Sequence, residues 1–135
     1  MKNIEIVRVF NELMKYADKK MPQRISYAVT KNLLILQAEY QCYEKELKKL
    51  YTSYEDKTEK DENGNAMTYD NGIPRIKEEF VKDFEKDLSE LLSIEADVKP
   101  YLIPEEAFDY SDNADRYDSL SPNDIVFLQT IMCER

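Results

Sequence analysis

The stretch VTKNLLILQAEYQCYEKELKKLYTSY, Val29 to Tyr54, decides the fold class. Its apolar and aromatic residues Val29, Leu33, Leu36, Tyr40, Tyr43, Leu47, Leu50 and Tyr54 are spaced alternately by four and three. That is the period of one continuous helix seam, whereas a strand alternates every second residue. Lys31, Glu39, Glu44, Lys45, Glu46, Lys48 and Lys49 fall between the seam positions and suit a solvated face. A helix over 22–57 is a rod of roughly 50 Å. Such a rod cannot bury its seam alone, so the rest of the chain must cover it.

Upstream, residues 1–20 read as a first helix, regular from about Asn3 to Lys19, with Val7, Phe10, Met14, Ala17 and Met21 as its core stripe. Met21-Pro22 ends it, because proline disfavours helical geometry in the residue before it. Pro22 itself suits the start of the next helix. Lys15, Lys19 and Lys20 lie where positive charge complements a helix C-terminus. With Arg24 and Lys31 they are a candidate basic patch for an anionic ligand or partner, set against the plainer reading of a solvated junction.

Downstream, residues 61–76 carry turn chemistry. Asn63-Gly64 and Asn71-Gly72 lie eight residues apart, and Asn-Gly tolerates the positive φ of tight turns. Ala66–Tyr69 and Ile73–Ile76 are expected to pair as a small β-hairpin, with Pro74 at an edge. Asp61, Asn63 and Asn65 imitate the first ligands of an EF-hand, but Ala66 and Gly72 occupy its glycine and glutamate positions, which excludes that loop. Residues 77–95 form a third helix with the stripe Phe80, Phe84, Leu88 and Leu91. It is wide enough to pack on the Val29–Tyr54 seam as an antiparallel hairpin. Residues 96–120 are extended and acidic, bracketed at first by Pro100 and Pro104. Residues 121–135 close the chain as a helix, capped by Ser121 with Pro122 and Asp124 in its first turn and Ile125, Leu128, Ile131 and Met132 inward.

Composition narrows the function. The chain of 135 residues has the length of one domain, 1–135, and its 35% charged content fits long exposed helices. It has no histidine, which removes the commonest general base and metal ligand, and only 2 glycines for a phosphate loop. Cys42 and Cys133 form no CxxC pair and read as two reduced thiols. No catalytic residue, metal site or cofactor is indicated, and 28 Asp/Glu alone do not mark a carboxylate-metal enzyme, the lowest-ranked of the alternatives. No apolar run reaches the ~20 residues of a membrane span, and the first residues are too charged for a signal peptide. A cytoplasmic location, with no membrane partner, is the expectation.

Charge is unevenly placed. Residues 1–60 hold 12 Lys/Arg and 9 Asp/Glu, whereas residues 61–135 hold 7 and 19. The acidic half argues against direct nucleic-acid binding and fits a protein with a basic surface. Its densest part has Glu105, Glu106, Asp109, Asp112, Asp115 and Asp118, interleaved with Tyr110 and Tyr117. Tyrosine combines apolar area with a hydroxyl, which suits interfaces. These eight residues are the candidate partner-binding surface, against the alternative of a solvated acidic loop.

The short first helix, the basic junction at Lys20–Arg24, the long charged helix leading to DENGN at 61–65, the second Asn-Gly turn, the second charged helix and the closing LSPNDIVFLQ at 120–129 follow in an order that resembles small uncharacterised proteins of phages and prophages, grouped as a domain of unknown function. The resemblance implies a phage or mobile-element origin and an interaction role, and it transfers no catalytic residue.

The expected fold is mainly α: a long antiparallel helical hairpin covered by the N- and C-terminal helices, with a small β-hairpin at its tip. The expected function is a non-enzymatic factor that binds a host or phage protein, in one version an acidic inhibitor of a host nucleic-acid-handling or defence protein. The alternative is a phage assembly or chaperone-like structural component. The seam is also compatible with a coiled-coil homodimer. Because the tip supplies no stripe residue, replacing 61–74 by a short Gly/Ser connection should leave the far-ultraviolet circular dichroism of the helices nearly unchanged. Collapse of the helical signal would make the tip part of the core.

Overall fold

The computed structural model describes residues 1–110 and 116–135. Among them are four α-helices: α1 (Asn3–Met14), α2 (Gln23–Ser53), α3 (Val81–Leu92) and α4 (Pro122–Met132). Single 3₁₀ turns occupy Glu55–Lys57, Glu78–Phe80 and Glu105–Phe108. No described helix is long and apolar enough to cross a membrane.

The α2 seam lies inward, with Val29, Leu36 and Tyr54 buried and Leu33, Tyr40, Tyr43, Leu47 and Leu50 half-buried. Two elements share its cover. Phe10 of α1 stacks on Tyr40 with ring centroids 4.7 Å apart, while Phe84 of α3 meets both Tyr51 and Tyr54. The main core is gathered at the first half of α2, from Ile6, Val9 and Leu13 of α1, Ile25, Ala28 and Val29 of α2, and Leu128 and Met132 of α4.

The inward face of α1 matches its expected stripe only in part: Phe10 packs against the core and Met21 is buried. Ile6, Val9, Leu13 and Tyr16 are buried, whereas Met14 and Ala17 are exposed. Both series repeat at three and four, so periodicity alone left the choice of face open. The α-helix also ends at Met14, sooner than expected. The N–H groups of Lys15, Tyr16 and Ala17 bond carbonyls three residues back, a tightened turn that carries Tyr16 inward.

Three buried polar side chains fasten crossing segments. Asn32 of α2 donates from Nδ2 to the carbonyl oxygens of Ala28 and Tyr101, each at 2.9 Å, and its Oδ1 accepts from the Tyr101 N–H at 2.7 Å. The pair ties the extended 96–104 strap to the long helix. The strap continues to Ile103, whose N–H bonds the Met132 carbonyl at 2.7 Å and whose carbonyl accepts from Glu134. Asn3 donates to the Leu91 carbonyl at 2.9 Å and joins the start of α1 to α3. Thr58 caps the Tyr54 carbonyl at 2.8 Å where the chain leaves α2.

The tip holds no regular β-strand, and the expected hairpin of Ala66–Tyr69 with Ile73–Ile76 is reduced to the Thr68–Pro74 bridge, flanked by bonds from the Tyr69 N–H to the Ile73 carbonyl and from the Arg75 N–H to the Met67 carbonyl. Isolated antiparallel bridges link Thr58 to Ile76, Lys60 to Ala66 and Thr68 to Pro74. Three backbone bonds close a ring: Glu59 N–H to Arg75 O, Arg75 N–H to Met67 O, and Met67 N–H to Glu59 O, at 2.8, 2.9 and 2.8 Å. Gly64 and Gly72, with φ of 79° and 84°, turn the chain before any segment can lengthen. Pro74 lacks the N–H that would extend its ladder.

The α4 cap forms as expected, with the Asp124 N–H donating to Ser121 Oγ and the Ser121 N–H to Asp124 Oδ2. Asn32→Ala should destabilise the fold by about 1–3 kcal/mol by leaving the Tyr101 backbone groups unpaired. Leu128→Ala, at a fully buried site, should cost about 2–5 kcal/mol and half-buried Leu47→Ala less. Urea unfolding midpoints rank the three. An Asn32→Ala midpoint equal to wild type would contradict the clamp.

Candidate functional site

The acidic surface begins at the Glu105–Phe108 turn. Its inward residues Ala107 and Phe108 are buried against the core, which anchors the turn from below. The other side chains point out: Glu105, Glu106 and Asp109 are exposed, and with Phe108 and Gln129 of α4 they line a shallow depression of about 420 Å³. Glu106 and Asp109 are three residues apart, the spacing at which side chains of a 3₁₀ turn eclipse. None of these three carboxylates has an ion-pair partner among the described residues.

The remaining candidates behave differently. Tyr110 packs against the core and meets Tyr117 edge-on at 5.7 Å, and the Arg116 guanidinium lies 5.3 Å from the Tyr117 ring. Asp118 turns to the basic junction, where its Oδ2 accepts from the Lys20 N–H at 2.7 Å and its own N–H donates to the Lys20 carbonyl at 2.8 Å. Asp112 and Asp115 lie outside the described residues. The acidic segment thus rests one end on the junction that the sequence reading kept separate from it.

The five basic candidates have different surroundings. Lys15 is ion-paired to Glu12 at 3.2 Å. Lys19 and Lys20 line a small cleft together with Arg116 and Tyr117. Arg24 lies in another depression beside Tyr27, Tyr101 and Leu102, and Lys31 is exposed and lines neither. Among the described residues, no three His, Cys, Asp or Glu side chains are grouped to hold a metal ion.

Sequence reasoning missed Tyr16. Its hydroxyl donates to Asp124 Oδ1 at 2.6 Å, and its ring stacks on Phe127 at 5.8 Å, so it joins the end of α1 to the start of α4. The signal was its place three residues after Leu13 in the buried α1 series. Burial, and then the bond to Asp124, pushes the Tyr16 phenol up to about 12. Burial and the bond to Asp87 likewise push Tyr54 up to about 12. Donation by Tyr16, followed by the Ser121 backbone N–H, holds the Asp124 carboxyl below its ordinary value.

These shifts set a pH window. A raised tyrosine pKa means that folding favours the neutral phenol, so its stabilisation is complete below the ordinary tyrosine value of about 10. It is lost as pH rises towards the folded value, about 12. The lowered Asp124 contributes above about pH 4 and loses that contribution as pH falls. Urea midpoints should therefore decline as pH rises past about 10, less in Tyr16→Phe and least in Tyr16→Phe/Tyr54→Phe. The same alkaline slope in all three proteins would refute these hydrogen bonds.

Comparison of the chain with protein-family models, with curated proteins and with solved structures found no match.

Proposed function

We propose that this protein is a non-enzymatic binding factor of phage or mobile-element origin, and that it docks on a basic surface of a host or phage protein through Glu105, Glu106 and Asp109. One observation carries the reading: these carboxylates stand exposed on a turn whose other side, Ala107 and Phe108, is buried. A face held from beneath meets a partner without the entropy cost of ordering a free loop. Its charge suits a groove lined by lysine and arginine, and in a nucleic-acid-handling or defence protein it would occupy the place of phosphates.

The helical frame serves as a spacer in this reading. Tyr54 lies against Phe84 and Asp87, while Glu46 shares a groove with Leu91 and Ile94, the register of an antiparallel hairpin formed by α2 and α3. Docking needs no cofactor, membrane or direct nucleic-acid contact, and it proceeds in the host cytoplasm.

The test is affinity capture from host lysate with wild type and with Glu105→Gln/Glu106→Gln/Asp109→Asn as baits, followed by binding of the captured protein across a salt series. Neutral isosteres keep the turn and remove the charge. The variant should bind the captured protein at least about tenfold more weakly, and wild-type binding should fall steeply with salt. Equal affinity and equal salt slope for both baits would reject this surface.

A further inference from the structure

A second surface lies along the contact of α2 with α3, apart from the Glu105–Asp109 face. Two adjoining depressions share Glu46, Leu91 and Ile94 and together make one groove, from Asn3 and Ala96 at one end to Ser53 and Asp87 at the other. Its floor is apolar: Tyr43, Leu50, Leu91 and Ile94. Ile94 is 51% exposed, a large aliphatic side chain left open beside buried Leu91. Open aliphatic area in a groove marks a contact surface more than scattered surface residues do.

The rim is acidic. Glu39, Glu46, Asp87, Glu90 and Glu95 line it, and the one lysine there, Lys49, is held by Glu46 at 2.9 Å. Asp87 accepts from the Tyr54 hydroxyl and Glu95 from the Met1 amine, whereas Glu39 and Glu90 have no ion-pair partner among the described residues. Each carboxylate retains acceptor capacity beyond these bonds.

We infer that this groove receives an amphipathic helix with a basic flank from a partner protein. Between Cys42 and Ser53 the α2 wall is roughly 16 Å long at about 1.5 Å per residue, enough for about three helical turns. One wall is α2, and the other is α3 as far as Leu92 and then the extended residues 94–96. There the Ile94 carbonyl accepts from the Asn3 N–H and the Ala96 N–H donates to the Met1 carbonyl. Along the helical part the backbone is bonded within each helix and offers an extended peptide no edge. A helix satisfies its own backbone and needs only a floor for its apolar residues and opposite charge for its flanks. The groove offers both.

Two labelled peptides of about 18 residues, long enough to hold a helix, test the inference. They share leucines at i, i+3, i+4 and i+7; one has lysine at the flanking positions and the other glutamate. By fluorescence anisotropy the lysine peptide should bind and the glutamate peptide should not. Glu39→Lys/Glu90→Lys and, separately, Ile94→Ser should each weaken binding at least about tenfold. Cys42, exposed at one end of the groove, should be shielded from iodoacetamide by the lysine peptide in a Cys133→Ser background. Glu105→Gln/Glu106→Gln/Asp109→Asn should leave this peptide's affinity unchanged, so failure here is distinct from failure of the acidic turn. Equal binding of both peptides, unaltered Cys42 reactivity, or loss of binding only with the 105–109 variant would overturn the assignment.

Discussion

The structure depends on a reciprocal bond between Asn32 and the backbone of Tyr101. Asn32 is 1% exposed in the first third of the long helix, and such an amide is costly unless every polar group is answered. Both ends of its amide are answered, one of them twice, by Ala28 and Tyr101. The strap packs Ala96 and Val98 partly against the core before the crossing, but at the crossing itself Tyr101 and Leu102 are exposed. There the amide pair fixes the strap on α2, and full apolar burial follows at Ile103. From there the chain reaches the α4 end through Met132 and enters the turn that presents Glu105, Glu106 and Asp109.

The same economy governs charge. A chain of net charge −9 would repel itself if its acidic half were simply laid on the surface. Some of its carboxylates are instead held by hydrogen bonds within the chain: Asp118 by the Lys20 N–H, Asp124 by Tyr16 and Ser121, Asp87 by Tyr54. Of the carboxylates that face outward, Glu105, Glu106 and Asp109 gather on one turn and Glu90 and Glu95 line the α2–α3 groove, while Asp61, Glu62, Asp70, Glu78, Glu79, Asp83 and Glu85 are exposed elsewhere. These two surfaces have different characters. The turn is a polar face on a buried support, and the groove combines negative charge with an apolar floor, which makes it selective for shape as well as charge.

The sequence disclosed what local pattern controls. The Val29–Tyr54 seam, the Phe84 and Leu91 stripe and the Ser121–Asp124 cap all rest on spacing within one element, and each is present. The face of α1 was read correctly at Phe10 and Met21 but not at Met14 and Ala17, because Ile6–Val9–Leu13–Tyr16 and the neighbouring Val7–Phe10–Met14–Ala17 series have the same period, and only the partner's position chooses between them. The tip kept its Asn-Gly turns but not its strands, because turns recurring every eight residues leave segments too short to propagate a ladder. Asn32 escaped notice since an asparagine among leucines looks like a break in the pattern; its partner lies 69 residues away. The pairing of Asp118 with Lys20, separated by 98 residues, was likewise beyond any window of periodicity.

The central claim is that the strap is a fixed part of the fold, held through Asn32, and that the acidic turn inherits its position from it. Amide hydrogen exchange at Tyr101 tests this most directly, because that residue is 37% exposed and only a hydrogen bond can shield its N–H. Protection at Tyr101 should approach that of the core helices in the intact protein and vanish in Asn32→Ala while α1 and α2 remain protected. Exchange at Tyr101 at the rate of an unstructured peptide in the intact protein would contradict the account.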